Sequence, residues 1–249
     1  MPKLFEVGGC VRDEFLGIQS DDIDFTFVAD DLTLSVDEGF SNMTKWLEKE
    51  KFKIFLSTPE MFTIRAKFPD SIGIRKNLVA DFVMARKEIG YTEGTRRPIL
   101  KLGTLEDDLI RRDFTVNAMA KDEDGKIIDL FNGEKHLSEG ILDTPLDPMV
   151  TFMDDPLRMI RAMRFSITKD LKIAPRVWEA ISQPGLIQKM KETTSQERIA
   201  VEITKAMKFD TLKTLRIIAK VDDHAPGFLE AILGKGLWFK PTFEKKKKD

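Results

Sequence analysis

The short apolar stretch Leu4-Phe5-Glu6-Val7 runs straight into Gly8-Gly9-Cys10-Val11-Arg12-Asp13, and soon afterwards the chain reaches Asp22-Ile23-Asp24-Phe25-Thr26-Phe27. This order predicts a first strand, a glycine turn, a short helix and a second strand. Two glycines without side chains let backbone N–H groups close on a phosphate. A helix starting just after them adds its positive end. Arg12 offers a planar fork suited to phosphate oxygens. Along a strand, alternation puts Asp22 and Asp24 on one face and Ile23, Phe25 and Phe27 on the other. Two carboxylates one strand repeat apart, beside a phosphate cradle, form a divalent-metal clamp of the kind used in phosphoryl transfer. Each piece alone also has a plainer reading. Gly-Gly is commonly a turn, Asp-x-Asp is commonly the wet face of a half-buried strand, and Asp13 suits the first turn of a helix. The constraint comes from their conjunction within one supersecondary unit.

Composition narrows the setting. The 249 residues are 42% hydrophobic and 33% charged, enough for one large core or two modest domains. No apolar run approaches the roughly 20 residues of a membrane helix, so no membrane partner is expected. Met1 to Val7 is too short and too soon interrupted by Glu6 to read as a signal peptide. The single cysteine, Cys10, excludes an internal disulfide framework and fits a reducing, cytoplasmic compartment; it reads as a small side chain tolerated in a tight turn. Zinc is not expected, since one cysteine and the scattered His136 and His224 match no ligand spacing. Residues 1–155 carry 20 Lys+Arg against 31 Asp+Glu, a balance of −11, whereas residues 156–249 carry 20 against 11, a balance of +9. An acidic first part suits a metal site. A basic second part suits a polyanion, or simply a solvated basic surface.

Further on, Ala29 to Glu38 reads as a loop and Phe40 to Lys53 as a helix, through Phe40, Met43, Trp46 and Leu47. Two strands follow, at 61–68 and 77–84. The second carries Asp81 inside an apolar run, where a carboxylate must be paired, bind a cation or sit at a solvated strand end; it is a candidate third carboxylate. Gly90 to Pro98 reads as a mobile loop. Thr104 caps a helix with Asp107 at capping-box spacing, and Asp124-Gly125 turns a hairpin into a strand at 126–130. From Asp154 onward the pattern is almost wholly helical, ending in the lysine run Lys245 to Lys248.

Four blocks together resemble the class II tRNA nucleotidyltransferases, a family that includes CCA-adding enzymes and bacterial poly(A) polymerases. They are Gly8-Gly9-x-Val11-Arg12-Asp13 with Asp22-x-Asp24; Arg111-Arg112-Asp113-Phe114-Thr115-x-Asn117-Ala118; Asp154-Asp155-Pro156-Leu157-Arg158-x-x-Arg161-Ala162-x-Arg164-Phe165; and Ser195-Gln196-Glu197-Arg198-Ile199-Ala200-Val201-Glu202. They occur in family order and cover residues 1 to about 208.

The resemblance implies an α+β fold: a mixed-sheet nucleotidyltransferase head with flanking helices over 1–142, a helical neck over 143–210 and a short basic C-terminal extension over 211–249. It implies that Asp22 and Asp24 hold two Mg²⁺ ions; Asp81, from its place in an apolar strand, stays the further catalytic candidate. Gly8, Gly9, Arg12 and Arg112 would hold the triphosphate of ATP or CTP, and Asp113 and Asn117 the ribose hydroxyl. Asp155 and Arg158 would read the base, with Arg161 and Arg164 facing the nucleotide, and the acceptor would be the tRNA 3′ end. The base-reading role has independent chemical sense. A carboxylate accepts from the exocyclic amine that cytosine and adenine share, while a guanidinium donates to their ring acceptors. Asp155 also suits an N-cap, because Pro156 fits a first helical position. Arg158, Arg161 and Arg164 share a helical face, which a plain ion-pair surface would do as well. Thr194 and Glu197 have capping-box spacing in a helix that braces the base-reading one.

The sequence departs from the family pattern in one respect. Only about forty residues follow the last block, where relatives usually carry a longer body and tail, so tRNA docking is the less determined part. No His-Asp doublet of an appended phosphohydrolase is present. The expected activity is CCA addition. Poly(A)-type, CC-only or A-only tailing stands as the alternative, a non-catalytic RNA-binding module as a rival of another class, and a metal-dependent nuclease as a remote one. The stretch from Tyr91 to Leu102 favours full CCA addition, since in the family that loop helps the switch to A. Nothing in the sequence points to an oligomeric state.

Overall fold

A computed structural model describes residues 1–20, 22–70, 78–91 and 98–233, with backbone only at Tyr91 and Pro98. The turn expected between those two residues and the terminal lysine run fall outside this range. The chain divides into two compact units, Met1–Glu139 with Thr144–Leu146, and Gly140–Asp143 with the residues from Asp147 onward.

The first unit runs β1 (Lys3–Val7), α1 (Gly9–Phe15), β2 (Ile23–Val28), α2 (Val36–Lys49), β3 (Lys53–Thr58), β4 (Thr63–Lys67), β5 (Val79–Met84), β6 (Arg86–Tyr91), β7 (Pro98–Leu102), α3 (Leu105–Leu109), β8 (Met119–Lys121), β9 (Ile127–Asp129) and α4 (Gly133–Ser138). Among the described residues, seven strands form one mixed sheet in the order β3-β4-β5-β2-β1-β8-β9. Its one parallel pair is β2 with β5. The apolar residues of the strands supply its core: Phe25, Phe27, Ile64, Ala66, Ala80, Phe82 and Met84 are buried together with Phe40, Met43 and Leu47 of α2. Phe25 and Phe82 stack with centroids 5.2 Å apart and planes 9° from parallel. Phe52 meets Phe68 at 5.0 Å and Phe82 at 5.2 Å. Such pairs add about 0.5–1.5 kcal/mol each beyond area burial.

Local signals explain where the elements begin and end. α2 starts earlier than apolar spacing predicts, because Ser35 and Glu38 form a reciprocal capping box. It ends at Lys49 and not at Lys53, because Glu50 caps it and Lys51 turns the chain away with a left-handed φ of 64°. β3 is an additional strand with no apolar alternation to announce it. It is an edge strand, its ladder broken by a bulge between Ile54 and Leu56. The stretch expected as a mobile loop is entered and left by strands, β6 pairing antiparallel with β7. Thr104 caps α3 with Asp107 at the expected spacing, and the Asp124-Gly125 turn joins β8 to β9.

In the second unit come β10 (Ile141–Leu142), α5 (Pro148–Asp154), α6 (Leu157–Thr168), β11 (Lys172–Ile173), α7 (Pro175–Ile181), α8 (Pro184–Thr193), α9 (Gln196–Phe209), α10 (Thr211–His224) and α11 (Phe228–Leu233). α6 packs mainly on α9, and Ile160, Met163 and Ile167 of α6 and Ile199, Ile203 and Ala206 of α9 are all buried. α10 packs on α9 and α6, and α11 on α10 and α8. Two short parallel strands, β10 and β11, interrupt the helices. The cap of α9 is Ser195, whose hydroxyl accepts from the Arg198 N–H, and not the expected Thr194.

Candidate active site

Register brings the site together in the first unit. β2 lies between β1 and β5, so that Asp24 faces Val7 on one side and Asp81 on the other. Alternation sends Phe25 and Phe82 into the core and leaves Asp24 and Asp81 side by side on the opposite face. Gly8 follows Val7 directly, which sets the glycine turn beside Asp24. Asp22, just before β2, is exposed.

Asp81 is not a lone buried acid. Arg65, its register partner on β4, donates Nε to Oδ1 at 2.6 Å and Nη2 to Oδ2 at 2.5 Å. Burial pushes the Asp24 carboxyl above the usual carboxylate range. Arg112 opposes that shift, the charges of Asp81 and Asp22 reinforce it, and Arg65 again opposes it. A carboxylate among like charges gains from a cation placed between them. Among the described residues no three His, Cys, Asp or Glu side chains converge into a metal cage. Two carboxylates with coordination positions left open suit a Mg²⁺-type ion that shares its shell with substrate phosphates.

The turn itself demands glycine. Gly8 has φ 81°, and a Cβ there would meet Arg112 Nη1 at 2.6 Å. The Gly8 N–H donates to Met119 O at 3.2 Å, fixing the turn to β8. Arg112 is held by Asp108, whose Oδ2 accepts from Nη2 at 2.9 Å and Nε at 3.3 Å. The Thr26 hydroxyl, fully buried on β2, donates to the same oxygen at 2.8 Å. A guanidinium is thereby set against the glycine turn and near Asp24. Asp108, Thr26 and Arg65 were not singled out from the sequence. The four-residue spacing of Asp108 and Arg112 is the one signal that would have found any of them.

Arg12 has a different setting. It is 5% exposed. Its Nε and Nη2 bond Asp13 Oδ1 at 2.9 and 2.8 Å, and its Nη1 donates to Asn117 Oδ1. Asn117 in turn donates to Asp113 Oδ1 at 2.9 Å. Arg12, expected at the triphosphate, and Asp113 and Asn117, expected at the ribose, therefore share one network that ties α1 to the 3₁₀ turn Thr115–Asn117. Gly9 opens α1. Cys10 donates its thiol to Val7 O at 3.3 Å, and burial pushes its pKa up, as befits a packing residue and not a nucleophile.

The second unit holds the remaining candidates. Asp155 is extended, and its Oδ1 accepts from the Leu157 N–H at 3.1 Å, so it caps α6. Its Oδ2 pairs with Arg198 of α9 at 2.8 Å. Arg158 donates to Thr151 O at 3.2 Å and pairs with Asp154 at 3.2 Å. Arg161 and Arg164 converge on Glu202 of α9, at 3.7 and 2.5 Å. Glu202 is 5% exposed, so this fork is a buried strut between two helices. No helix among the described residues is long and apolar enough to cross a membrane.

Residues 4–143 match the family model of the poly A polymerase head domain. The chain is 30% identical over 222 residues to the nucleotidyltransferase lcsQ of Purpureocillium lilacinum, covering 81% of this chain and 35% of that protein. It is 30% identical over 254 residues to the CCA-adding enzyme of Francisella tularensis, covering 97% and 63%. Among solved structures, it resembles a tRNA nucleotidyltransferase complexed with a primer tRNA and an incoming ATP analog, with a TM-score of 0.67 and 28% identity over 93% of this chain and 59% of that one. A tRNA-processing enzyme with CTP gives a TM-score of 0.68 and 26% identity over 95% and 56%. The chain thus spans between 35% and 63% of the length of these two curated relatives.

Proposed function

The chain belongs to the class II tRNA nucleotidyltransferase and poly(A) polymerase family, and from that premise we propose that it transfers CMP and AMP from CTP and ATP to the 3′-hydroxyl of tRNA without a nucleic-acid template. The observation that carries this reading is the strand register that sets the Gly8 turn, Asp24 and Asp81 side by side, with Arg112 against the turn.

Nucleotidyltransferases of this family generally use divalent metal ions, and the carboxylate pair Asp22 and Asp24 fits that use. We assign them two Mg²⁺ ions, which when bound supply positive charge that makes the RNA hydroxyl more acidic and steadies the leaving pyrophosphate. The protein's own groups then act as follows. Backbone N–H groups of the Gly8-Gly9 turn and the guanidinium of Arg112 hold the triphosphate, with Asp108 aiming Arg112. Asp81, clasped by Arg65, adds negative potential beside Asp24. Arg12 keeps the turn in shape, while Asp113 and Asn117 present polar atoms for a ribose hydroxyl. In the second unit, Asp155 accepts from the exocyclic amine of C or A and Arg158 donates to the base ring. Arg161 and Arg164 take up phosphate charge only as far as Glu202 leaves them free to do so. A cytoplasmic location belongs to the same proposal.

The test uses purified protein, tRNA lacking its 3′ CCA, Mg²⁺ and each labelled nucleotide separately, beside the Asp22→Ala/Asp24→Ala variant. Incorporation of C and then A, lost in the variant by on the order of 10³-fold or more, is the expected result. No incorporation by the parent protein sinks the proposal. Long runs of A alone redirect it to poly(A)-type tailing, and incorporation of U or G rules out Asp155 and Arg158 as the selector.

A further inference from the structure

The open face that carries Asp24 and Asp81 continues across the sheet. In register, Asp24 faces Asp81, Asp81 faces Arg65 and Arg65 faces Leu56, which leads from the centre of the sheet to its β3 edge. The neighbouring row, Val79, Lys67 and Lys53, lies on the same face because Lys67 is two residues from Arg65 along β4. Lys53 and Lys67 are direct cross-strand partners. Like charges so placed destabilise a sheet. Neither they nor Lys51 makes an ion pair among the described residues. The three lysines line a cavity of about 400 Å³ with Phe68, Pro69 and Asp70. Lys51 keeps its charged side chain although its φ of 64° favours glycine or asparagine. At the same edge the bulge displaces Phe55, which is 54% exposed and offers an aromatic face for stacking a base.

The direction of this track is informative. The Gly8 turn and Arg112 stand on the β1 side of Asp24, and the lysines stand on the β5-β4-β3 side. At roughly 4.8 Å per strand, β4 lies about 10 Å from β2. In-line displacement requires the attacking and leaving oxygens on opposite sides of the phosphorus. With the triphosphate held on the β1 side, the attacking hydroxyl arrives from the lysine side. We propose that Lys53 and Lys67, supported by Lys51, bind the phosphodiester backbone of the acceptor RNA just upstream of its 3′ end and deliver that end to Asp24. This rests on the transfer reading above for the direction of approach.

The test compares the parent chain with Lys53→Gln/Lys67→Gln and Lys53→Arg/Lys67→Arg. Binding of 5′-labelled tRNA lacking CCA is followed by fluorescence anisotropy over a salt series without metal, and KM is measured separately for tRNA and for CTP. The Gln pair is expected to bind RNA several-fold more weakly, with a log–log salt slope flatter by roughly 1.4, about 0.7 for each phosphate that a lysine no longer neutralises. KM for tRNA rises, KM for CTP stays, and the Arg pair behaves like the parent. The melting temperature of the Gln pair should equal or exceed the parent's, since an opposed charge pair is removed. Unchanged RNA affinity and slope in the Gln pair overturn the inference. So does a rise in KM for CTP alone, which would make the lysines a triphosphate site. If the parent incorporates no nucleotide yet the Gln pair still weakens RNA binding, the lysine site stands and the transfer reading falls.

Discussion

Arg65 reaches across one strand boundary to clasp both oxygens of Asp81, the carboxylate that lies in register beside Asp24. The clasp partly offsets the charge of Asp81 and leaves Asp22 and Asp24 as the pair open to a cation. It also places a positive charge next to any cation bound by that pair. Arg65→Leu should therefore raise divalent-cation affinity several-fold, as read by isothermal titration with Mg²⁺ or Mn²⁺. Unchanged or weaker binding would show that Asp81 does not share the potential of Asp24.

Gly8 is constrained twice, by its φ of 81° and by the Arg112 guanidinium that occupies the space of a side chain. Gly8→Ala should cost about 1–2 kcal/mol from the left-handed backbone alone and, by displacing Arg112, raise KM for CTP and ATP. Gly17 shares a positive φ, 68°, but has open space around it. Gly17→Ala should lose similar stability with nucleotide KM unchanged, so equal KM values for the two variants would remove Arg112 from the triphosphate site.

Asp24 carries a pH signature. Its folded-state pKa lies above the unfolded value of about 3.9, so the folded protein binds more protons in that range. Stability of the metal-free protein should fall as pH rises from the unfolded pKa through the folded one, and then level off. Asp24→Asn should abolish this segment of the curve and melt higher than the parent at neutral pH without metal. Thermal melts in chelator from pH 4 to 7 are the measurement; a parent curve that rises through that segment would contradict the buried setting of Asp24.

Glu202 is the buried anion between Arg161 and Arg164. Removing it takes from Arg164, whose side chain is 14% exposed, its 2.5 Å carboxylate partner at a helix interface. Glu202→Ala should destabilise the second unit by about 3 kcal/mol, and Glu202→Met/Arg164→Met should recover much of that loss. Urea denaturation of the four corners of the cycle decides it. A cost below about 1 kcal/mol would mean that the fork is solvated.

Much of the site was legible because its chemistry sits in contiguous blocks. The glycine turn, the strand that carries Asp24 and the capping of α3 follow from local rules that tertiary context did not override. What escaped was what register creates. Arg65 is far from Asp81 in sequence and meets it only because β4 and β5 pair. Thr26 reads as one more strand residue until Asp108 arrives beside it. β3 was hidden because a bulged edge strand has no clean alternation, and Ser35 because the apolar count began at Phe40, past the cap. The inward turn of Arg12 had no sequence signal either. An arginine beside two glycines reads as phosphate-facing, and only the buried Asn117 reveals its partner.

The stack of Phe25 on Phe82 has a practical corollary. The spacing of the two neighbouring carboxylates is kept by the β2–β5 ladder and by packed hydrocarbon on the far side of the sheet, not by the carboxylates themselves. Chemistry and scaffold are thus separable at this position. Neutral replacements at Asp22 and Asp24 should leave the contour of the face intact, giving an inert mould that still receives both reactants. Such a chain would serve to trap an unreacted assembly for direct visualisation.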